Sequence, residues 1–90
     1  MTRKIVVFDV VELPSQENVE YLEGCYVPIV HGFIKLEVRA GENENVWYVA
    51  PDNYDYNMLN GADQVYVERH GDTMRRMRDL ESMGIRYQLV

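Results

Sequence analysis

The chain has one cysteine, Cys25, so neither an internal disulfide framework nor a CxxC metal or redox motif is open to it. A lone cysteine reads as a small buried hydrophobe. Long apolar runs are missing too, none approaching the roughly 20 residues that a helix needs to span a bilayer. Arg3 and Lys4 precede an apolar segment as in a signal peptide, but Asp9 and Glu12 interrupt it, and the reading is a cytoplasmic protein. Glycine-rich phosphate loops, Walker patterns and GxSxG elbows are absent. Basic residues are scarce through the middle of the chain. Between Asp9 and Asp63 eleven carboxylates face only Lys35 and Arg39, and the net charge of the whole chain is −6. Such a field repels nucleic acid, attracts basic partners and favours solubility.

What is present suffices for one core. Ninety residues at 47% hydrophobic content, with seven tyrosines, two phenylalanines and one tryptophan, read as a single domain over 1–90 that is neither disordered nor fibrous. Lys4 to Leu13 is almost continuously apolar and β-branched, the pattern of a central strand covered on both faces, with Asp9 its one discordant residue. Pro14-Ser15 ends it. Ser15 is placed to cap a short helix through Glu23, with Val19 and Leu22 inward and Gly24 at its end, and a loop is the alternative. Cys25 to Val30 carries Pro28, which argues against a central strand.

Phe33 to Ala40 alternates cleanly, with Lys35, Glu37 and Arg39 on one side. A turn over 41–45 and a return strand over Val46 to Ala50 complete a hairpin. Pro51 to Asp63 reads as a surface loop with at most one helical turn. The last third reads as strand, helix, strand. A strand over Gln64 to Arg69 leads to Gly71-Asp72, which opens a helix over about 73–83. Met74, Met77, Leu80 and Met83 form its apolar stripe, Gly84 closes it, and 85–90 alternate as a strand.

These elements predict an α+β fold, a small mixed or antiparallel sheet of about five strands with one main helix on one face. The strand–helix–strand unit lays its strands parallel or leaves a gap between them, and the first strand fills that gap or flanks it. One helix covers only one face, which points to a homodimer or a partner over the other.

Val6-Val7-Phe8-Asp9-Val10-Val11 resembles, over about six residues, the nucleophile strand of haloacid-dehalogenase-type phosphatases. That family continues with a second Asp, a Gly and a Thr where Val11-Glu12-Leu13 stand here, and ninety residues leave no room for its fold. An aspartate at a strand end, hydrogen-bonded to backbone, is the plainer reading. A small enzyme would require Asp9 to converge with His31 or His70, and neither histidine belongs to a metal-binding spacing. Arg75, Arg76 and Arg78, flanked by Arg69 and Arg86, read first as a solvated helix face with intrahelical pairs. As the sharper alternative they are a nucleic-acid contact.

The acidic, tyrosine-bearing stretch from Glu42 to Asp63 is the candidate interaction surface. Glu42, Glu44, Asp52 and Asp55 lie on loops, and Tyr54 and Tyr56 are amphipathic anchors of the kind found at interface hot spots. Asp52 to Asn57 also has the oxygen-rich look of a calcium loop, but lacks the glycine and closing glutamate of an EF-hand. No cofactor or metal is expected. The expectation is a small non-enzymatic protein whose carboxylates occupy a basic groove on a partner such as a nucleic-acid-binding enzyme. In size and charge it is similar to phage-borne anti-restriction and anti-CRISPR proteins. A nucleic-acid-binding module and a structural or assembly subunit are the alternatives.

Overall fold

A computed structural model describes residues 3–12, 17, 19–28, 44–69 and 73–90. The expected strand over 33–40, Glu42, both histidines and the Gly71-Asp72 helix opening lie outside the described residues. The fold is a small α+β arrangement, among the described residues one α-helix on a mixed sheet of six strands. They are β1 (Arg3–Phe8), β2 (Val19–Leu22), β3 (Cys25–Pro28), β4 (Glu44–Tyr48), β5 (Gln64–Val67) and β6 (Gln88–Leu89), with α1 spanning Met74–Ser82. The sheet order is β2-β3-β4-β1-β5-β6. β1, β4, β5 and β6 run parallel, and β2 and β3 extend the sheet as an antiparallel hairpin.

The apolar first strand takes the inner position that its composition demands. It pairs with β4 on one side, Val6 opposite Trp47, and with β5 on the other, Val6 opposite Val65. Alternation then divides the core. Val6, Phe8, Val49, Val65 and Val67 point to the face covered by Leu80 of α1 and by Met58 of a 3₁₀ turn at Asn57–Leu59. Ile5, Val7, Val46 and Tyr48 form the second cluster with Val10, and all five are buried within the single chain.

Several local expectations are corrected. Residues 19–22 are a strand, not the end of a short helix, because Glu23-Gly24 forms a two-residue turn with φ of 51° and 83°. Two successive positive φ values match the twist of a hairpin and bring Leu22 opposite Cys25. Two of the six described strands, at 19–22 and 25–28, are not among the five expected, one of which (33–40) lies outside the described residues. β3 is flanked by β2 and β4 despite Pro28, which sits at its last position. The strand expected to return from 33–40 begins at Glu44, two residues earlier than its apolar pattern suggests, so Glu44 opens β4 and is not a loop residue; the neighbours of β4 are β3 and β1, not the expected hairpin partner.

β5 and β6 are direct parallel neighbours, with β1 flanking them and not inserted between them. α1 ends as Gly84 predicts. Gly84 has φ 72°, its N–H donates to Glu81 O, and Ile85 N–H reaches back to Leu80 O at 2.9 Å, the paired bonds of a Schellman motif. Its inward face is not the methionine stripe. Thr73, Arg76 and Leu80 are buried, Met77 is partly covered, and Met74 is 71% exposed. No helix among the described residues is long and apolar enough to cross a membrane.

Candidate functional site

Parallel strands deliver their following loops to one edge, where open sheets commonly bind ligands. Four segments meet there: Asp9 after β1, the Glu23-Gly24 turn, residues 50–56 after β4, and the start of α1. Asp9 leaves the strand with φ 63°, a left-handed conformation that aspartate tolerates better than most residues. Its Oδ1 accepts from Arg76 Nε at 3.1 Å, with both side chains buried. Arg76 Nη2 donates to Asn53 O at 2.6 Å and Ala50 O at 3.4 Å. The guanidinium also faces three rings, with centroids of Phe8 and Tyr54 at 4.6 Å and Tyr56 at 5.4 Å.

This arrangement explains the orientation of α1. A buried cation needs a counter-charge and hydrogen-bond acceptors, and this edge supplies both to Arg76. The solvated-face expectation for Arg76 is therefore corrected, since it is 1% exposed. Arg75 is exposed but lies 3.6 Å from the Tyr54 ring centroid. Arg69 and Arg78 are exposed at the surface. Arg86 is exposed as well and lines a second, smaller cleft with Asp63, Gln64 and Gln88, toward the beginning of β5. The five arginines thus do not form one stripe.

The acidic candidates divide similarly. Glu44 sits opposite Arg3 at the amino ends of β4 and β1, whereas Asp52 and Asp55 follow the carboxyl end of β4. Tyr54 packs under Arg75 and Arg76. Tyr56 donates its hydroxyl to Asp79 Oδ2 at 2.5 Å. Loss of solvent, reinforced by that bond and opposed by Arg76, pushes the Tyr56 phenol up to about 12. Both tyrosines are thus engaged within the chain. The Asp52 to Asn57 run is organised by local bonds, Asp55 N–H to Asn53 Oδ1 and Asn57 N–H to Asp55 Oδ1. Among the described residues no three His, Cys, Asp or Glu side chains gather as a metal site.

An open cleft of about 580 Å³ lies beside this edge, lined by Tyr21, Gly24, Tyr26, Ala50, Asp52, Asn53 and Asp55. Tyr21 and Tyr26 stand opposite each other on β2 and β3, ring centroids 5.2 Å apart and edge to face. Asn53 Nδ2 donates to Gly24 O at 2.8 Å and clasps the turn to the β4 loop. Sequence reasoning missed Tyr21, Tyr26 and Asn53 because a helix ending at Glu23 dissolves the hairpin that presents the two rings. The legible signal was the pair of four-residue runs either side of Glu23-Gly24. Cys25, just inside the turn, is fully buried, and loss of solvent pushes its thiol up to about 11, away from reactivity.

Compared with known proteins, the chain matches no family model, no curated protein and no solved structure.

Proposed function

We propose that the protein is a small non-enzymatic interaction protein that presents carboxylates to a basic surface on a partner protein. Exposed Asp52 and Asp55 on the rim of a tyrosine-walled cleft carry this reading. The middle of the chain adds a strong excess of negative charge, which speeds encounter with a basic partner and selects against polyanions. A basic groove made for nucleic acid suits such a surface, with carboxylates standing in for phosphates. In that role the protein acts as an inhibitor of the anti-restriction or anti-CRISPR kind. Arg76, the one arginine of the helix cluster that is fully buried, is unavailable to phosphate, which weakens the nucleic-acid-binding alternative.

The test is capture of proteins from host lysate on immobilised wild type and on an Asp52→Asn/Asp55→Asn variant, at low and high salt, read by mass spectrometry. The expected catch is a nucleic-acid-binding protein retained by wild type at low salt and lost in the variant and at high salt. A catch indifferent to both, or retardation of generic DNA or RNA by the protein alone, defeats the reading.

A further inference from the structure

We propose that the cleft between the Glu23-Gly24 turn and residues 50–55 seats an arginine side chain of the partner; this rests on the interaction-protein reading and names what its central contact recognises. The chain itself provides the precedent. Around Arg76 it places a carboxylate, Asp9, two backbone carbonyls and the rings of Phe8, Tyr54 and Tyr56. Around the outer guanidinium of Arg75 it places the face of Tyr54. The cleft repeats the same components with no cation of its own among the described residues. Tyr21 and Tyr26 wall it, Asp52 and Asp55 border it, and among the described residues no basic one lines it.

Three features single out an arginine. Aromatic rings flanked by carboxylates suit a planar, weakly hydrated guanidinium that stacks and donates at once, better than a compact, strongly hydrated ammonium. Asp55 already accepts from Asn57 N–H and Nδ2, yet a carboxylate has about four lone-pair sites, so capacity remains for a bidentate donor. The site is also held ready. Gly24 approaches Asn53 so closely that an added Cβ would lie 2.9 Å from its Nδ2, which fixes the turn against the loop before any partner arrives. Tyr21, 64% exposed, is a large ring left in water at the mouth of this cleft.

The experiment titrates labelled full-length protein with an oligo-arginine and an oligo-lysine peptide of equal length, mapping NMR shifts. The expected result is shifts centred on Tyr21, Gly24, Tyr26 and Asn53, stronger for arginine. Affinity should fall about tenfold in Asp52→Asn/Asp55→Asn and by a similar factor in Tyr21→Ser. These positions are exposed, so the variants are expected to fold, and their unperturbed spectra check that. Shifts spread over the whole acidic surface, or equal responses to both peptides, overturn the cleft proposal. If salt-sensitive capture of a basic protein persists in Tyr21→Ser while the peptides fail to map to the cleft, the proposal falls and the broader reading stands. Peptides that dock in the cleft without any such capture keep the cleft and remove the broader reading.

Discussion

Asp9 and Arg76 lie 67 positions apart in the chain and meet as a buried ion pair, joining the end of the central strand to the first turn of the only α-helix among the described residues. Their neighbours are largely fixed by this contact, because Arg76 also binds the β4 loop at Ala50 and Asn53.

Removing one charge of such a pair strands the other. Arg76→Met leaves Asp9 buried without its cation and is expected to cost about 3–5 kcal/mol in urea unfolding. The double variant Asp9→Asn/Arg76→Met removes both charges and keeps a residue that accepts the left-handed backbone at position 9. It is expected to recover a substantial part of that loss. A double variant no more stable than Arg76→Met shows that ring packing and carbonyl bonds, not charge pairing, hold this edge together.

The inward face of α1 is checked with two substitutions. Leu80 is fully buried against both the sheet and Ile85, so Leu80→Ala is expected to cost about 2–5 kcal/mol. Met74 is 71% exposed, and Met74→Lys should change stability by no more than about 0.5 kcal/mol. A large loss on Met74→Lys, measured by thermal or urea melting, restores the methionine stripe as the buried face.

Gly24 and Gly84 separate two reasons for glycine. Both have positive φ, but a Cβ at Gly84 meets nothing within 4 Å, whereas one at Gly24 lies 2.9 Å from Asn53 Nδ2. Gly84→Ala is expected to show only the left-handed strain of about 1–2 kcal/mol. Gly24→Ala should cost more, and it should shift the Asn53 side-chain amide resonances. Equal losses from the two changes indicate that the turn and the loop are not clasped.

Alkaline pH should weaken the fold through two phenols. Burial pushes Tyr48 up to about 12, and burial with the Asp79 bond does the same for Tyr56, from an ordinary value of 10.0. A pKa raised by folding means the folded chain holds its proton longer. The associated stability is whole below pH 10 and declines as pH climbs through 12. Tyr56→Phe should lose about 1.5–3 kcal/mol at neutral pH with its charge-assisted hydrogen bond. The same variant should also show a shallower decline above pH 10. An unchanged slope relative to wild type counts against Tyr56 as a contributor.

Much of this fold was readable in the chain. The β-branched run after Lys4 announced an inner strand, and Gly84 announced the helix end, because each depends on local pattern alone. The methionine stripe misled because periodicity ranks side chains by hydropathy and cannot see a counter-charge waiting 67 residues away. Asp9 was recognisable as discordant, but its partner was not. The hairpin at Glu23-Gly24 was hidden because Ser15, Val19, Leu22 and Gly24 also fit a short capped helix, whereas the strand pairing depends on the positive φ of the turn. The cleft was invisible for the same reason, since its tyrosines share a face only once β2 and β3 pair. Asp52 and Asp55 stood out by charge, and their separation from Glu44 follows from strand direction, which composition does not encode.

The placement of β1 between β4 and β5 also bears on how the chain is made. A ribosome makes this sticky segment before residues 44–48 and 64–67, which zip onto its two edges. During that interval its bare amides and valines are available to chaperones or to sister chains. Mature geometry must then arrive late and all together, through contacts spanning much of the chain, so assembly should be slow for a molecule this small.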